Sequence, residues 1–429
     1  MNRGGTIIDR YASLLSAHII AKSEQMTREP AGILRHPYLV PSSPDSPYYS
    51  DQLWDWDSWW VSGFLGQVEA QTGEPGRFAR YEEGCVLNFL DHTTDDGVMP
   101  IQLSPHGQLR HGDSTSDAEY ARHQNTHKPV IVQHAALLAR RRGGAEWLRP
   151  HLPKLEAFLT GYLTRHYHDE TGLADWQTDF AIGVDNDPSV YYRPAKSTAA
   201  IYLNSLLYRE LLAYGYLLEE LGQLADSVRW RRRAQDLADS INRHCWDERD
   251  GTFYSADLGL RAIEGDDWLH SGAPRAWSSL LLRVDSWSSF LPLWAGLASQ
   301  EQAEQMAARV RDRRTFAANY GVRTLSRLEK MYDLGPSNNP SNWLGPIWGI
   351  SNYLVFRGLL KYGFTDEARN LAEKTVLLFG RDLETNGCLH EFYHPDNGEP
   401  IMTRNFQNWN FLVLNMIAFL DDQCMVAEF

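Results

Sequence analysis

The feature that most constrains the fold is a repeated pair of helices. Apolar residues recur at i, i+3, i+4 and i+7 along most of the chain, the pattern of amphipathic helices. This pattern predicts a first helix at about residues 6–23 and a last helix at about 408–420. Between them we predict five pairs, at about 57–71 with 78–92, 128–143 with 146–164, 199–222 with 224–244, 287–299 with 301–312, and 348–361 with 365–385. Short connections force the two helices of each pair to run antiparallel.

The helix pairs predict a closed barrel. The first helix of each pair is the more apolar and the second is more charged, so one is inner and one is outer. The unit recurs about every 70 residues, which is the signature of a repeat architecture. Five pairs and a single helix at each end make six pairs if the ends meet, whereas an open solenoid would require polar capping repeats. We therefore predict an all-α (α/α)6 barrel, formed as one domain by residues 1–429.

The linkers between an outer helix and the next inner helix are predicted to carry the functional site. All inner helices start at the same rim of such a barrel, and loops held by a rigid scaffold often carry function. Asp or Asn near Gly, followed by alternating apolar residues, predicts short β-hairpins in these linkers. They are DDGVMP at 95–100, DETGLADW at 169–176, DERDGTFYS at 247–255 and ETNGCLHEFY at 384–393.

Charge and cysteine usage restrict the possible partners. Lys and Arg number 41 against 55 Asp and Glu, a net charge of −14, which argues against binding to nucleic acid or to an anionic membrane. The first 25 residues lack a continuous signal-peptide core, and no stretch reaches the ~20 apolar residues of a membrane span. The four cysteines are far apart, which favours neither a zinc site nor disulfides. We expect a cytoplasmic protein whose partner is a small or neutral molecule.

Aromatic residues are unusually abundant in the predicted rim. The chain has 15 Trp, 20 Tyr and 16 Phe, and many Trp lie beside Asp, Asn, Gly or Pro. Aromatic faces among hydrogen-bonding groups suit a sugar, which has C–H patches and a rim of hydroxyls. The segments expected to meet at one mouth are WDWDSWW at 54–60, NTHKP at 125–129, DWQTDFAIGVDNDP at 175–188, NNPSNWLGPIW at 338–348, LHEFYHPDNG at 389–398 and RNFQNWN at 404–410.

Hydrolysis of a glycoside requires two carboxyl groups, and the rim segments offer four candidates. Glu391 lies in an alternating run, which predicts that its side chain points to the barrel axis. Asp185 follows the apolar FAIGV, where burial can raise a carboxyl pKa. Asp187 can instead cap the turn that follows, and Asp57 can be an N-cap, a substrate ligand or both.

Four motifs in order resemble a known family. WDWDSWW, GVDNDP, NWLGPIWGISNY and HEFYHPDNGEP look like those of the short bacterial members of glycoside hydrolase family 63, the mannosylglycerate and glucosylglycerate hydrolases. Family 37 trehalases are similar more distantly. The resemblance covers about residues 45–420. It implies the (α/α)6 fold and inverting hydrolysis of an α-glycoside without metal or cofactor.

The resemblance also implies roles for individual residues. Asp185 matches the general acid of the family and Glu391 its general base, although the residues between Glu391 and the Pro-x-x-Gly turn differ from the family pattern. The substrate-binding residues implied by the motifs are Trp54, Trp56, Asp57, Trp343, Trp348 and Gln407. From their rim positions we add His127 and Lys128 as aglycone contacts, and Trp176, which follows Gly172 by four residues as Glu391 follows Gly387.

A glycerate aglycone would require positive charge. Lys128, Arg193, Lys196 and Arg404 all lie in rim segments and could supply it. The grouping of His123, His127 and His134 suggests a metal site, which we discount because His123 falls outside the helix and no Cys is near.

The sequence predicts an inverting α-glycosidase for a small solute, with 2-O-α-glucosylglycerate or mannosylglycerate as the substrate. One alternative is a trehalase-like or kojibiose-type enzyme acting on a neutral disaccharide. The others are a sugar epimerase, which would use His pairs, and a binding protein that has lost catalysis.

Overall fold

The computed structural model describes residues 5–44, 46, 49–109, 125–260, 278–335 and 341–429. Its α-helices in these ranges are α1 Ile7–Lys22, α2 Asp55–Thr72, α3 Ala79–Asp91, α4 Ile131–Arg142, α5 Leu152–Arg165, α6 Ile201–Glu220, α7 Leu224–Cys245, α8 Leu291–Ala295, α9 Gln300–Arg311, α10 Gly349–Lys361, α11 Thr365–Asn386 and α12 Val413–Leu420. Among the helices described, none is long and apolar enough to span a membrane.

The inner helices form a closed ring. Helix α2 contacts α4, and the contacts continue from each inner helix to the next through α6, α8 and α10 to α12. Helix α12 and the 3₁₀ turn before it then contact α2. Helices α2 and α6 are buried along nearly their whole length, whereas α7 and α9 bury one face only, so the apolar helices are inner as predicted. The N-terminal helix α1 packs on α11 and α12. The chain ends therefore meet, and the predicted (α/α)6 barrel is confirmed.

Short antiparallel strands lie in the linkers. They are β1 Thr27–Arg28, β2 Tyr38–Leu39, β3 Leu53–Trp54, β4 Gln102–Ser104, β5 Gly107–Gln108, β6 Tyr167–His168, β7 Leu173–Ala174, β8 Thr198–Ala199, β9 Trp246–Asp247, β10 Thr252–Phe253, β11 Ser255–Asp257, β12 Leu280–Leu282, β13 Ile347–Trp348 and β14 Phe392–Tyr393. The hairpins predicted at 169–176 and 247–255 are confirmed as β6–β7 and β9–β10.

Two hairpin predictions are wrong. Residues 95–100 form a turn without strands, and the hairpin follows later as β4–β5. The segment 384–393 forms no hairpin of its own, because β14 pairs with β13. This pairing sets Trp348 opposite Phe392, and their rings stack at 4.8 Å between centroids. An aromatic cross-strand pair of this kind favours the distant partner over a local turn.

Gly84 allows helix α3 to pack closely against the loop that precedes strand β2. A Cβ added at Gly84 would lie 1.8 Å from the carbonyl oxygen of Pro37, a backbone atom that cannot move away cheaply. We expect Gly84→Ala to lower the free energy of unfolding by about 1–3 kcal/mol, measured by urea denaturation. Gly144→Ala is the control, because a Cβ there meets no atom within 4 Å. Equal stability of the two variants would contradict the prediction.

Candidate active site

A cavity of about 520 Å³ opens at the N-terminal ends of the inner helices. Each of the six rim segments singled out in the sequence contributes at least one side chain to it. Its lining residues are Tyr49, Trp54, Trp56, Asp57, Lys128, Ala181, Gly183, Asp185, Ser341, Trp343, Trp348, Glu391, Phe406 and Trp409. The volume and the mixture of aromatic and carboxyl groups are those of a small-molecule site.

Stacked tryptophans form one wall of the cavity. The rings of Trp343 and Trp348 are nearly parallel, with centroids 4.0 Å apart, and Phe392 continues the stack behind Trp348. The indole nitrogen of Trp348 donates to the carbonyl oxygen of Asn342 at 2.8 Å, and that of Trp343 donates to Oγ of Ser341 at 2.9 Å. These bonds hold the ring planes fixed. Trp287 stacks on the other face of Trp343 at 5.6 Å, so the wall is a rigid apolar stack beside which sugar C–H groups can pack.

Three aromatic residues that line the cavity are not among those predicted from the sequence. Trp409 makes an edge contact with Trp56 at 5.5 Å and packs on Phe406 at 5.0 Å. Both lie in the rim segment 404–410. They could have been predicted as lining residues if every aromatic residue of a rim segment had been counted as a candidate. Tyr49 contacts Trp54 edge-on at 6.0 Å, and no motif marks it.

Glu391 is held at the cavity by the strand that follows it. On one side of Glu391, Phe392 is fully buried against Trp348. On the other side, Nδ1 of His390 lies 2.9 Å from Oδ2 of Asp382. Of these three neighbours, only Glu391 lines the cavity. Burial raises the pKa of Glu391 to about 7; a hydrogen bond from Thr403 opposes this rise, and the nearby charge of Asp185 adds to it. Glu391 can therefore hold or release a proton near neutral pH.

Asp185 lies on the loop between β7 and β8, and its neighbour Asn186 ties that loop to the tryptophan wall. Asn186 Oδ1 accepts the backbone N–H of Trp343 at 2.7 Å. Asp187, two residues on, does not line the cavity. Its Oδ1 accepts the backbone N–H and the hydroxyl of Ser189, both at 2.8 Å. Asp187 thus serves the turn, and Asp185 is the one of these two carboxyl groups that lines the cavity.

Asp57 lies in the first turn of α2 and contributes a third carboxyl group. Its Oδ1 accepts a hydrogen bond from the side chain of Asn408. Burial raises the pKa of Asp57 to about 8, together with the charges of Asp55 and Glu391, while Lys128 opposes the rise. A carboxyl group that stays protonated near neutral pH can donate a hydrogen bond to a bound hydroxyl.

Lys128 is paired inside the cavity wall. Its Nζ lies 3.0 Å from both carboxylate oxygens of Asp55, and its backbone N–H donates to Asp55 Oδ2 at 2.9 Å. Only 2% of the lysine side chain and 0% of the aspartate side chain are exposed. The positive charge expected to meet an aglycone is therefore already balanced by a carboxylate of the protein.

Three of the predicted substrate-binding residues do not line the cavity. His127 is fully buried, with Nδ1 2.6 Å from the carbonyl oxygen of Lys128, and burial lowers its pKa to about 4. Trp176 is buried against Tyr202, with ring centroids 5.8 Å apart. Gln407 is buried next to the lining residue Phe406. Their roles in substrate binding stay predictions.

The other cations predicted at the rim also have partners within the protein. Arg193 pairs with Asp257 at 2.9 Å, Lys196 donates to the carbonyl oxygen of Arg165, and Arg404 donates to a backbone carbonyl at 3.4 Å. His123 lies outside the described residues. Within the ranges described, no three His, Cys, Asp or Glu side chains are grouped so that they could hold a metal ion.

Buried carboxyl groups in an aromatic cavity at the rim of a closed (α/α)6 barrel are the groups that a glycosidase requires beside a bound sugar. Residues 48–409 match the family described as the mannosylglycerate hydrolase MGH1-like glycoside hydrolase domain. The chain belongs to this family of glycoside hydrolases.

Relatives and solved structures agree with this assignment. The chain is 31% identical to mannosylglycerate hydrolase MGH1 of Selaginella moellendorffii over 84% of this chain and 78% of that protein. It is 29% identical to a probable trehalase of Eremothecium gossypii over 47% of this chain, and it spans only 26% of that protein. A GH63 mannosylglycerate hydrolase of Thermus thermophilus in complex with Tris and D-glycerate has the same fold, with a TM-score of 0.63 at 18% identity, covering 95% of this chain and 100% of that chain.

Proposed function

We propose that this protein is an inverting α-glycosidase that hydrolyses mannosylglycerate or 2-O-α-glucosylglycerate to the sugar and glycerate. The observation that carries the proposal is that Asp185 and Glu391 line one aromatic cavity and that the charge of Asp185 acts on Glu391. The choice of glycerate rests on the relatives, which include mannosylglycerate hydrolases of Selaginella moellendorffii and Rubrobacter radiotolerans.

The proposed mechanism is a single displacement at the anomeric carbon. Asp185 donates its proton to the glycosidic oxygen as the bond between that oxygen and the anomeric carbon breaks. Glu391 accepts a proton from a water molecule whose oxygen attacks the anomeric carbon from the opposite face, so the configuration inverts. The tryptophan wall and a protonated Asp57 hold the sugar ring between the two carboxyl groups.

A neutral disaccharide is the second candidate, and the charge of the cavity favours it. The described lining contains the carboxyl groups of Asp57, Asp185 and Glu391 but one cation, Lys128, which is paired with Asp55. A glycerate carboxylate would find no unpaired cation among these described lining residues. A trehalose-like or kojibiose-like substrate carries no charge and meets no such repulsion.

The products distinguish these substrates. The purified protein is incubated separately with mannosylglycerate, glucosylglycerate, trehalose and kojibiose, and the first sugar released is followed by ¹H NMR. β-Sugar released first from a glycerate glycoside supports the proposal, and turnover of a neutral disaccharide alone would replace the substrate. From either glycerate glycoside, α-sugar released first would show retention and contradict the mechanism. From trehalose, inversion gives one α- and one β-glucose per turnover, and two α-glucose molecules would show retention. No turnover of any of the four substrates would contradict the proposed activity.

The pH dependence tests the role of Glu391. A general base must be ionised, so kcat/KM should rise with pH through the pKa of Glu391, which is about 7. The hydrogen bond from Thr403 favours the charged form. Thr403→Val should therefore move the rise to higher pH, with activity recovered in alkaline buffer. Thr164→Val, an exposed site on α5, is the control. A profile that does not move in Thr403→Val would contradict this role of the hydrogen bond.

A further inference from the structure

A second large cavity lies at the opposite end of the barrel. Its volume is about 1340 Å³, including the open space at its mouth. It lies at the C-terminal ends of the inner helices, whereas the candidate active site lies at their N-terminal ends. We name it the basal cavity and define it by six of its lining residues. They are Arg140, Arg209, Arg231, Trp294, Arg357 and Lys361.

The basal cavity holds more positive charge than the protein neutralises. Arg231 pairs with Glu219, and Arg357 pairs with Glu428. Among the described residues, Arg140, Arg209 and Lys361 have no carboxylate within ion-pair distance. Three unbalanced cations around one cavity are unexpected in a chain with a net charge of −14.

The carboxylate of Glu428 already lies in this cavity and is fully used. Oε1 accepts the indole N–H of Trp294 at 2.8 Å and Nε of Arg357 at 3.1 Å, while Oε2 accepts the hydroxyl of Tyr353 at 3.1 Å. This contact shows that the end of the barrel can bind a carboxylate. Its charge also acts on Arg209 and Lys361, but neither cation lies within ion-pair distance of it among the described residues.

Arg209 provides the second observation. Its side chain is 8% exposed, and Nε and Nη1 reach only Gln133 at 3.4 Å and the carbonyl oxygen of Trp294 at 3.3 Å. Its guanidinium lies over the Trp294 ring at 4.4 Å, and Nη2 has no hydrogen-bond partner among the described residues. Arg140 and Lys361 end their helices, where a cation offsets the helix dipole. Arg209 is in the middle of α6, so the dipole does not explain it.

We propose that the basal cavity binds a small multivalent anion whose phosphate or carboxylate groups pair with Arg209, Lys361 and Arg140. Guanidinium groups bind such anions through paired N–H donors. Desolvation and the charges of Arg209 and Arg357 lower the pKa of Lys361 to about 8, and the charge of Glu428 opposes this shift. A bound anion would act on Lys361 in the same direction as Glu428. The site is distinct from the candidate active site and does not depend on the proposed function.

Binding can be measured on the full chain with defined anions. Inorganic phosphate, pyrophosphate and citrate are titrated by calorimetry and by thermal unfolding at pH 7, with sodium chloride of equal ionic strength as the screening control. We expect saturable 1:1 binding with a rise in Tm that follows the ligand concentration. Lys361→Gln and Arg209→Gln should each weaken binding by at least tenfold. Preference for phosphate or for citrate then identifies the anionic group.

Three controls keep the site assignment testable. Arg233→Gln, an exposed arginine on α7, should bind as the unaltered protein does. Glu391→Gln should also keep the binding, because its carboxyl group lines the other cavity. Lys361 is exposed, so Lys361→Gln remains informative even if Arg209→Gln does not fold. The absence of saturable binding, binding unchanged in both basal variants, or binding lost in Glu391→Gln would overturn the proposal.

Discussion

Replacing Asp185 by Asn or Glu391 by Gln should lower kcat by about 10²–10⁴-fold. Asparagine cannot donate the proton that the leaving oxygen requires, and glutamine cannot accept the proton of the attacking water. Both changes keep the size of the side chain, so the aromatic cavity should still bind the sugar. Initial rates with each glycoside of the panel give kcat, and a thermal shift with the same glycoside reports binding.

Matched amides separate chemistry from packing. Glu399→Gln makes the same change as Glu391→Gln at an exposed position eight residues further along the chain and should leave kcat unchanged. Asp187→Asn keeps an oxygen that can accept from Ser189, so the turn and the activity should both survive. Full activity in Asp185→Asn or Glu391→Gln would exclude that residue as a reactive group. Loss of activity in Asp187→Asn alone would transfer the acid role to Asp187.

Helix periodicity was enough to predict the barrel, because each helix has to bury one face. The exceptions have local causes. The helix predicted at 287–299 is reduced to a 3₁₀ turn and the five residues of α8, since Pro292 allows the start of a helix but Gly296 ends it in a left-handed conformation. The helix predicted to start at 128 begins at Ile131, because Val130 before it has the non-helical backbone conformation of φ −139° and ψ −6°.

The candidate site could be predicted where motifs place aromatic and carboxyl residues at the start of an inner helix. Trp348 and Asp57 are such residues, and both line the cavity. The ion pair of Lys128 with Asp55 could not be predicted, because the two residues are 73 positions apart in the chain and no local pattern indicates the contact. For the same reason, the burial of His127 between Phe89 and Phe158 could not be read from NTHKP.

The second large effect is expected from the buried pair between Lys128 and Asp55. Lys128→Met should lower the free energy of unfolding by about 3–5 kcal/mol, because it leaves the Asp55 carboxylate without its cation in a site that water does not reach. Asp55 would keep only backbone donors, the N–H groups of Trp56 at 2.7 Å and of residue 128 at 2.9 Å. Urea denaturation at pH 7 measures the loss.

Two further variants decide whether the unpaired charge is the cause. Asp55→Asn combined with Lys128→Met removes both charges, and it should recover most of the stability because no carboxylate is left buried alone. Lys330→Met deletes an exposed lysine and should change little. If Lys128→Met were no more harmful than Lys330→Met, the pair would not stabilise the barrel. If the double variant were as unstable as Lys128→Met, the lost contact of the Lys128 ammonium with the Trp56 ring would explain the effect instead of the unpaired carboxylate. Lys128 also lowers the pKa of Asp57, so recovered stability without recovered activity would show that the pair serves the chemistry of the cavity as well as its fold.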